Sequence, residues 1–222
     1  MGVHYHKRPI VSSSIWQLDF GNNIGGVKNI ATPTEVGTLA NGAAIVNDVL
    51  VLDGIDDYLT LPATSVLDFG TNDFTIEIWM YWDVSSSFDT LMTVGEYNNT
   101  AGGFNIYANS ERVTCYRHNG VTDDLIGQTA FGTLATLQWN QVSFIKNGTN
   151  VIIDINGTQY TIKTSYTATL GNATGQQRIG ANFNVGVFAF NGSIGKVTIW
   201  DKALSNDESI HNYETQKSRY AQ

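Results

Sequence analysis

The chain alternates short apolar runs with turn residues, at roughly ten-residue spacing over most of its length. The longest run covers Phe74 to Trp82. Two-residue alternation puts Phe74, Ile76, Ile78, Met80 and Trp82 on one face and Thr75, Glu77, Trp79 and Tyr81 on the other. Aromatics on both faces mark a central strand that is covered at least in part on both sides. Ahead of it, Ile15 to Phe20 reads as a first strand ending at Gly21-Asn22-Asn23, and residues 25–42 read as loop. Ala44 to Leu52 reads as one strand and Tyr58 to Leu61 as another, joined by the Asp53-Gly54-Ile55-Asp56-Asp57 turn and stopped by Pro62. Leu67 and Phe69 are expected to tuck under the sheet end.

Behind the central run, strands are predicted from Thr90 to Val94, Gly103 to Ala108 and Val113 to Tyr116. A meander follows through Val142 to Lys146, Val151 to Ile155 and Thr158 to Ile162. Its turns are Asn147-Gly148 and Asn156-Gly157, pairs that accept positive φ at both central positions. Ser143, Lys146, Asp154, Gln159 and Thr161 alternate against its apolar positions and read as a solvated face. One helix is predicted. Ser205-Asn206-Asp207-Glu208 is a capping box, and the helix it opens runs to about Gln216 with Ile210 and Tyr213 on one face. The pattern therefore predicts an all-β antiparallel sandwich over residues 15–205, an extended arm over 1–14, and a short C-terminal helix and tail over 206–222.

The motif order sharpens this. Leu52-Asp53-Gly54-Ile55-Asp56-Asp57-Tyr58, then Phe74-Thr75-Ile76-Glu77-Ile78-Trp79, Trp139-Asn140-Gln141-Val142, Ile155-Asn156-Gly157, Arg178-Ile179-Gly180 and the closing Ile194-Gly195-Lys196-Val197-Thr198-Ile199-Trp200-Asp201 resemble the concanavalin A-like, laminin-G-type jelly rolls. The arm leading into Trp16-Gln17-Leu18-Asp19, and the ending Asn212-Tyr213 through Lys217-Ser218-Arg219-Tyr220, resemble structural proteins of tailed bacteriophages that carry this fold. That second resemblance implies a non-catalytic virion protein that decorates a capsid or forms part of a head or tail fibre. Its partners would be other virion proteins and further copies of itself, and its attachment surface Val3, Tyr5, Lys7, Arg8, Lys217, Arg219 and Tyr220. The alternative within the same fold is a glycan-binding adhesin or lectin module for cell-surface polysaccharide, reading sugar through loops 83–89, 95–103 and 118–131, with Tyr97, Tyr107 and Tyr116 as nearby aromatics.

Composition narrows the partners. The net charge is −8, which argues against a nucleic-acid surface, and the basic residues near the two ends leave the body between them more acidic still. The single cysteine, Cys115, excludes an internal disulfide and sits in a strand pattern as an inert thiol. No apolar run approaches ~20 residues, so no membrane span is expected, and the N-terminus lacks the apolar core of a signal peptide. The expected setting is a virion assembled in host cytoplasm.

The candidate chemistry is thin. Glycoside hydrolases of this superfamily carry paired carboxylates on one strand, whereas Glu77 is followed by Ile78 and Trp79 and reads as a paired or rim carboxylate. No catalytic residue is expected. Calcium is the one cofactor considered, with Asp19, Asn22, Asp53 and Asp201 as candidate ligands at loop ends, beside Asp56 and Asp57. Turn formation is the favoured account of those aspartates, so no cofactor is expected, with calcium as the alternative.

Overall fold

The computed structural model describes residues 14–22, 27–62, 65–83, 88–95, 102–119, 121–171, 177–184 and 186–220. Among these residues the strands are β1 (Ser14–Asp19), β2 (Thr38–Ala40), β3 (Ala44–Val46), β4 (Val49–Asp53), β5 (Tyr58–Leu61), β6 (Phe74–Trp82), β7 (Asp89–Val94), β8 (Phe104–Asn109), β9 (Arg112–His118), β10 (Asp123–Gln128), β11 (Trp139–Asn147), β12 (Asn150–Ile155), β13 (Thr158–Lys163), β14 (Gln177–Ile179) and β15 (Asn191–Trp200), closed by helix α1 (Asn206–Tyr220). They form two antiparallel sheets. One runs β13-β12-β11-β6-β15-β4-β3, with β1 also on β15, and the other runs β10-β9-β8-β7-β14-β5-β2. Strand β15 is long enough to serve two partners on one edge: Asn191 to Ile194 pair with β4, and Lys196 to Trp200 pair with β1.

The alternation in β6 holds as expected. Phe74, Ile76, Ile78, Met80 and Trp82 all enter the core between the sheets, facing Leu59, Met92, Phe104, Ile106 and Cys115 from the other layer. Leu67 and Phe69 close one end, where Phe69 stacks on Phe74 with ring centroids 3.8 Å apart. Cys115 is fully buried, and burial pushes its thiol well above the usual range, which fits an inert side chain.

Several boundaries differ from the sequence reading, each for a local reason. The run Ala44 to Leu52 is a hairpin, because Asn47 and Asp48 take φ of 48° and 67° and make the two-residue turn that such values favour. Of the two meander turns, only Asn156-Gly157 has positive φ at both positions, and at Asn147-Gly148 the glycine alone does. The segment 118–132 contains edge strand β10 rather than a long loop. Residues 27–40 are tied down by β2 and by Glu35, which accepts from Trp16 Nε1 (3.0 Å) and Asn29 Nδ2 (2.7 Å).

The helix begins at the capping box, with Glu208 N donating to Ser205 Oγ (3.3 Å) and Ser205 N donating to Glu208 Oε2 (3.0 Å). It runs four residues further than expected. Its buried face is not the Ile210 face: Ile210 is 40 % exposed, while Ser209, Asn212, Gln216 and Tyr220 point inward. A polar helix face packs here because the sheet beneath it is polar too.

Candidate functional site

The two outer sheet faces have opposite fates. On the eight-stranded sheet the register aligns Glu77, Ser143, Asp154 and Gln159 in one row across β6, β11, β12 and β13. Helix α1 lies over it. Asn212 Nδ2 donates to Glu77 Oε2 (3.0 Å), Gln216 Nε2 to Glu77 Oε1 (3.3 Å), and Lys196 Nζ to Gln216 Oε1 (2.8 Å). Glu77, Ser143, Lys146, Asp154 and Lys196 are all buried and Gln159 is half-buried, so most of the face expected to be solvated is covered, while Thr161 on β13 stays exposed as expected. Burial raises the pKa of Glu77, against the pull of Lys196 and its amide donors, and raises that of Asp154 to about 6; burial lowers that of Lys196. Glu77 is thus a paired interior carboxylate, not a rim one.

The end of the helix is pinned by aromatic stacking and one ion pair. Tyr220 stacks on Trp79 (4.5 Å) and packs against Trp139 (4.7 Å), in the space left by Gly195, where a Cβ would lie 2.3 Å from the tyrosine ring. Arg219 makes a two-pronged pair with Asp19 at 2.6 and 2.7 Å. Beside this runs a groove of about 730 Å³, lined by Tyr81, Leu137, Trp139, Tyr213 and Lys217 among others.

The seven-stranded sheet keeps part of its outer face open. Residues Tyr58, Thr60, Thr90, Thr93, Asn105, Tyr107, Tyr116 and Arg178 alternate with core positions and point away from the core. Residues 181–184 and 186–190 lie across the β7–β14 part of this face. Thr93 Oγ1 donates to Ala181 O (2.9 Å), Thr90 Oγ1 to Phe188 O (2.7 Å), and Arg178 Nη1 to the carbonyls of Asn182 and Phe183 (both 2.8 Å). Over β8 to β10 a cavity of about 250 Å³ is left, lined by Phe88, Tyr107, Tyr116, Asp123 and Phe188.

Its walls are rings in mutual edge or tilted contact: Phe88 to Tyr107 5.5 Å, Phe88 to Phe188 5.4 Å, Phe88 to Tyr116 6.3 Å and Tyr107 to Tyr116 6.1 Å. Tyr107 is fixed through its hydroxyl, which accepts from Asn105 Nδ2 (2.5 Å) and Asn182 Nδ2 (3.0 Å). Asp123 supplies the one carboxylate of the lining, 41 % exposed, with Oδ1 2.5 Å from His118 Nδ1. Burial lowers the pKa of His118, so near neutral pH the ring is uncharged and donates its Nδ1 hydrogen to Asp123. Such a cavity offers flat apolar walls and one hydrogen-bond acceptor.

The expected site residues are scattered. Val3, Tyr5, Lys7, Arg8 and Tyr97 lie outside the described residues, as does the side chain of Asn22. Of the tail residues, Lys217 is exposed and paired with Glu214, whereas Arg219 is held by Asp19 and Tyr220 is buried, so those two side chains are turned to the protein's own sheet. The calcium candidates do not converge: Asp19 is occupied by Arg219, and Asp201 lines a separate surface pocket with Asp68 and Asp73. Asp53 does meet Asp56 and Asp57, with ligand atoms all within 4.8 Å of one another, and this trio could hold a metal ion. Two of its carboxylates already serve the turn, Asp57 accepting from Gly42 N (2.5 Å) and Asp53 N (3.2 Å), and Asp53 from Ile55 N (2.8 Å). Tyr107 and Tyr116, read from sequence as aromatics near loops, do line the cavity; Phe188 was not anticipated, since nothing in its segment marks it as folding over the sheet.

The sequence model of the concanavalin A-like lectin/glucanases superfamily matches residues 53–208. The chain belongs to this superfamily. No curated protein matches it. Among solved structures it is similar to domain 4 of AbnA, a GH43 extracellular arabinanase from Geobacillus stearothermophilus, in complex with arabinotriose, with TM-score 0.68, 18% identity, and coverage of 90% of this chain and 98% of that one. It is similar also to the binding domain of botulinum neurotoxin DC in complex with SialylT (TM-score 0.70, 15% identity, 92% of this chain, 52% of that one) and to Trypanosoma rangeli sialidase (TM-score 0.65, 13% identity, 92% and 33%). The chain spans about half of the neurotoxin binding domain and a third of the sialidase, and at these identities the likeness is one of fold. Among the described residues no helix is long and apolar enough to cross a membrane.

Proposed function

We propose that this chain is a non-catalytic glycan-binding module that holds a sugar residue in the aromatic cavity of the seven-stranded sheet. The observation that carries this reading is the cavity itself: four rings and one carboxylate at the open half of a sheet face whose other half is covered by its own chain. Sugar rings present apolar C–H faces that stack on aromatics and hydroxyls that donate to a carboxylate. The arabinotriose complex of the AbnA domain and the SialylT complex of the neurotoxin domain lend the reading support from the same fold. Hydrolysis would need two carboxylates across one bond, and this lining holds one. Glu77 and Asp154 have raised pKa values, but they lie under α1 on the other sheet. The test is a glycan array with the intact chain and with Tyr116→Ala. Retention of a defined set of glycans, lost in the variant while its fold by circular dichroism is unchanged, is expected; array binding that Tyr116→Ala leaves intact would overturn the site.

A second reading is a structural component of a tailed-phage virion, present in many copies, where repeated weak contacts sum to firm attachment. It draws on the arm and tail sequences and on the groove beside α1, where Lys217 and the 62 % exposed Leu137 offer a surface to a neighbour. Removing residues 1–13 and reversing Lys217 to Glu should then abolish incorporation into particles and leave glycan retention intact.

A further inference from the structure

The lining of the aromatic cavity has a sign. Its single charged side chain is Asp123, no lysine or arginine lines it, and the rings of Phe88, Tyr107, Tyr116 and Phe188 surround the space. Aromatic faces carry negative electrostatic potential, so a box of rings around a carboxylate attracts a cation from several directions at once. The groups facing Asp123 do not cancel this. His118 on β9 is the partner that touches it, and its ring is neutral near pH 7 because it is buried; it donates one hydrogen bond and holds the carboxylate in place. The Arg117 side chain, next in sequence, is engaged elsewhere, with Nε donating to Thr169 O (3.0 Å). The contrast with the groove beside α1 is direct, since there Lys217 sits 5.4 Å from the Tyr213 ring and the protein's own cation fills that role.

Resting on the glycan-binding reading, we propose that the cavity of Phe88, Tyr107, Tyr116, Phe188 and Asp123 takes an ammonium group, so that the sugar residue bound there is an amino sugar or bears a quaternary ammonium substituent. The cavity volume of about 250 Å³ suits one such residue rather than a chain of them. The rings meet the C–H-rich surface around the nitrogen, and Asp123 meets its charge. No bond is made or broken.

The test is isothermal titration of the full chain with three probes: a glucosamine oligosaccharide, its fully N-acetylated counterpart, and choline chloride. The free-amine oligosaccharide, choline, or both should bind about tenfold tighter than the N-acetylated one. Asp123→Asn should bring that preference to within about twofold, and raising the ionic strength of the wild-type titration should erode it in the same way, a readout that stands if the variant fails to fold. Binding by the glucosamine oligosaccharide alone assigns the ammonium to an amino sugar, and competition by choline assigns it to a quaternary substituent. Equal affinity for the amine and N-acetyl forms, with both lost in Tyr116→Ala, would overturn the ammonium preference and leave the glycan site standing. No binding of any probe, together with an array on which no glycan is retained, would overturn both.

Discussion

Asp154→Asn tests the account of the covered sheet face, and its magnitude follows from one burial. Asp154 is fully buried under α1, accepts a hydrogen bond from Gly157 N (2.9 Å), and shares its row with Glu77, whose charge adds to the rise in its pKa. That pKa moves from 3.8 in the unfolded chain to about 6 in the fold. Between those values the folded protein holds the proton more tightly than the unfolded chain does, so stability falls as pH rises through this window, and the full cost is present above pH 6. At about 1.36 kcal/mol per tenfold change in acidity, the cost of ionising Asp154 in place is on the order of 3 kcal/mol. Asparagine keeps the acceptor for Gly157 and carries no charge.

The assay is urea unfolding of wild type and variant at pH 4, 6 and 8 (chosen to bracket the shift). The added amide changes packing and donor count equally at every pH, so the informative quantity is the change of the mutational effect with pH. From pH 4 to pH 8 the variant should gain about 2.5 kcal/mol relative to wild type, because part of the cost is already present at pH 4, and the figure is an upper one because Glu77 is coupled to the same site. Other carboxylates, such as Glu208 with its lowered pKa, tilt both curves alike and cancel. A mutational effect that is flat across this range would refute burial as the source of the shift.

Three further outcomes rest on other contacts of the fold. Gly195→Ala puts a methyl 2.3 Å from the Tyr220 ring, which is stacked on Trp79, so the variant should lose about 2 kcal/mol in urea unfolding and change its near-ultraviolet circular dichroism, with glycan retention on the opposite sheet unaffected. Asp57→Ala removes the acceptor for two backbone amides and should cost about 3 kcal/mol in the same assay. Because those amides already satisfy the turn, millimolar calcium should move the wild-type Tm by less than about 1 °C, and a rise of several degrees that is lost in Asp53→Asn would instead assign an ion to the trio.

What could be read in the sequence follows from how local each signal is. The face assignment of β6 and the capping box of α1 depend on residues two or three apart, and both hold in the structure atom by atom. The hairpin at Asn47-Asp48 was hidden because a two-residue turn inside an apolar run leaves the alternation nearly unbroken. The buried face of the helix is illegible for a different reason. Amphipathic reasoning looks for apolar residues facing the sheet, whereas Asn212 and Gln216 face it because Glu77 and Lys196 lie more than a hundred residues, or some twenty, away in sequence and need partners there. No window along the chain contains that pairing.

The same limit governs function. Glu77 is an acid on a central strand that reads from the sequence as a paired or rim carboxylate, and Asp154 shares its row with a pKa pushed up to about 6. Raised carboxyl pKa values cluster at active sites when a cleft exposes them, but here a helix removes both groups from solvent, and burial accounts for the shift. The cavity on the other sheet has the reverse character. Tyr107 and Tyr116 were visible as alternate positions of β8 and β9, yet the cavity exists only because Phe88 and Phe188, a hundred residues apart, arrive from two loops and close on Asp123. Sequence alternation supplies the floor of the site, tertiary folding supplies its walls, and only the walls make it a place where a ligand can be held.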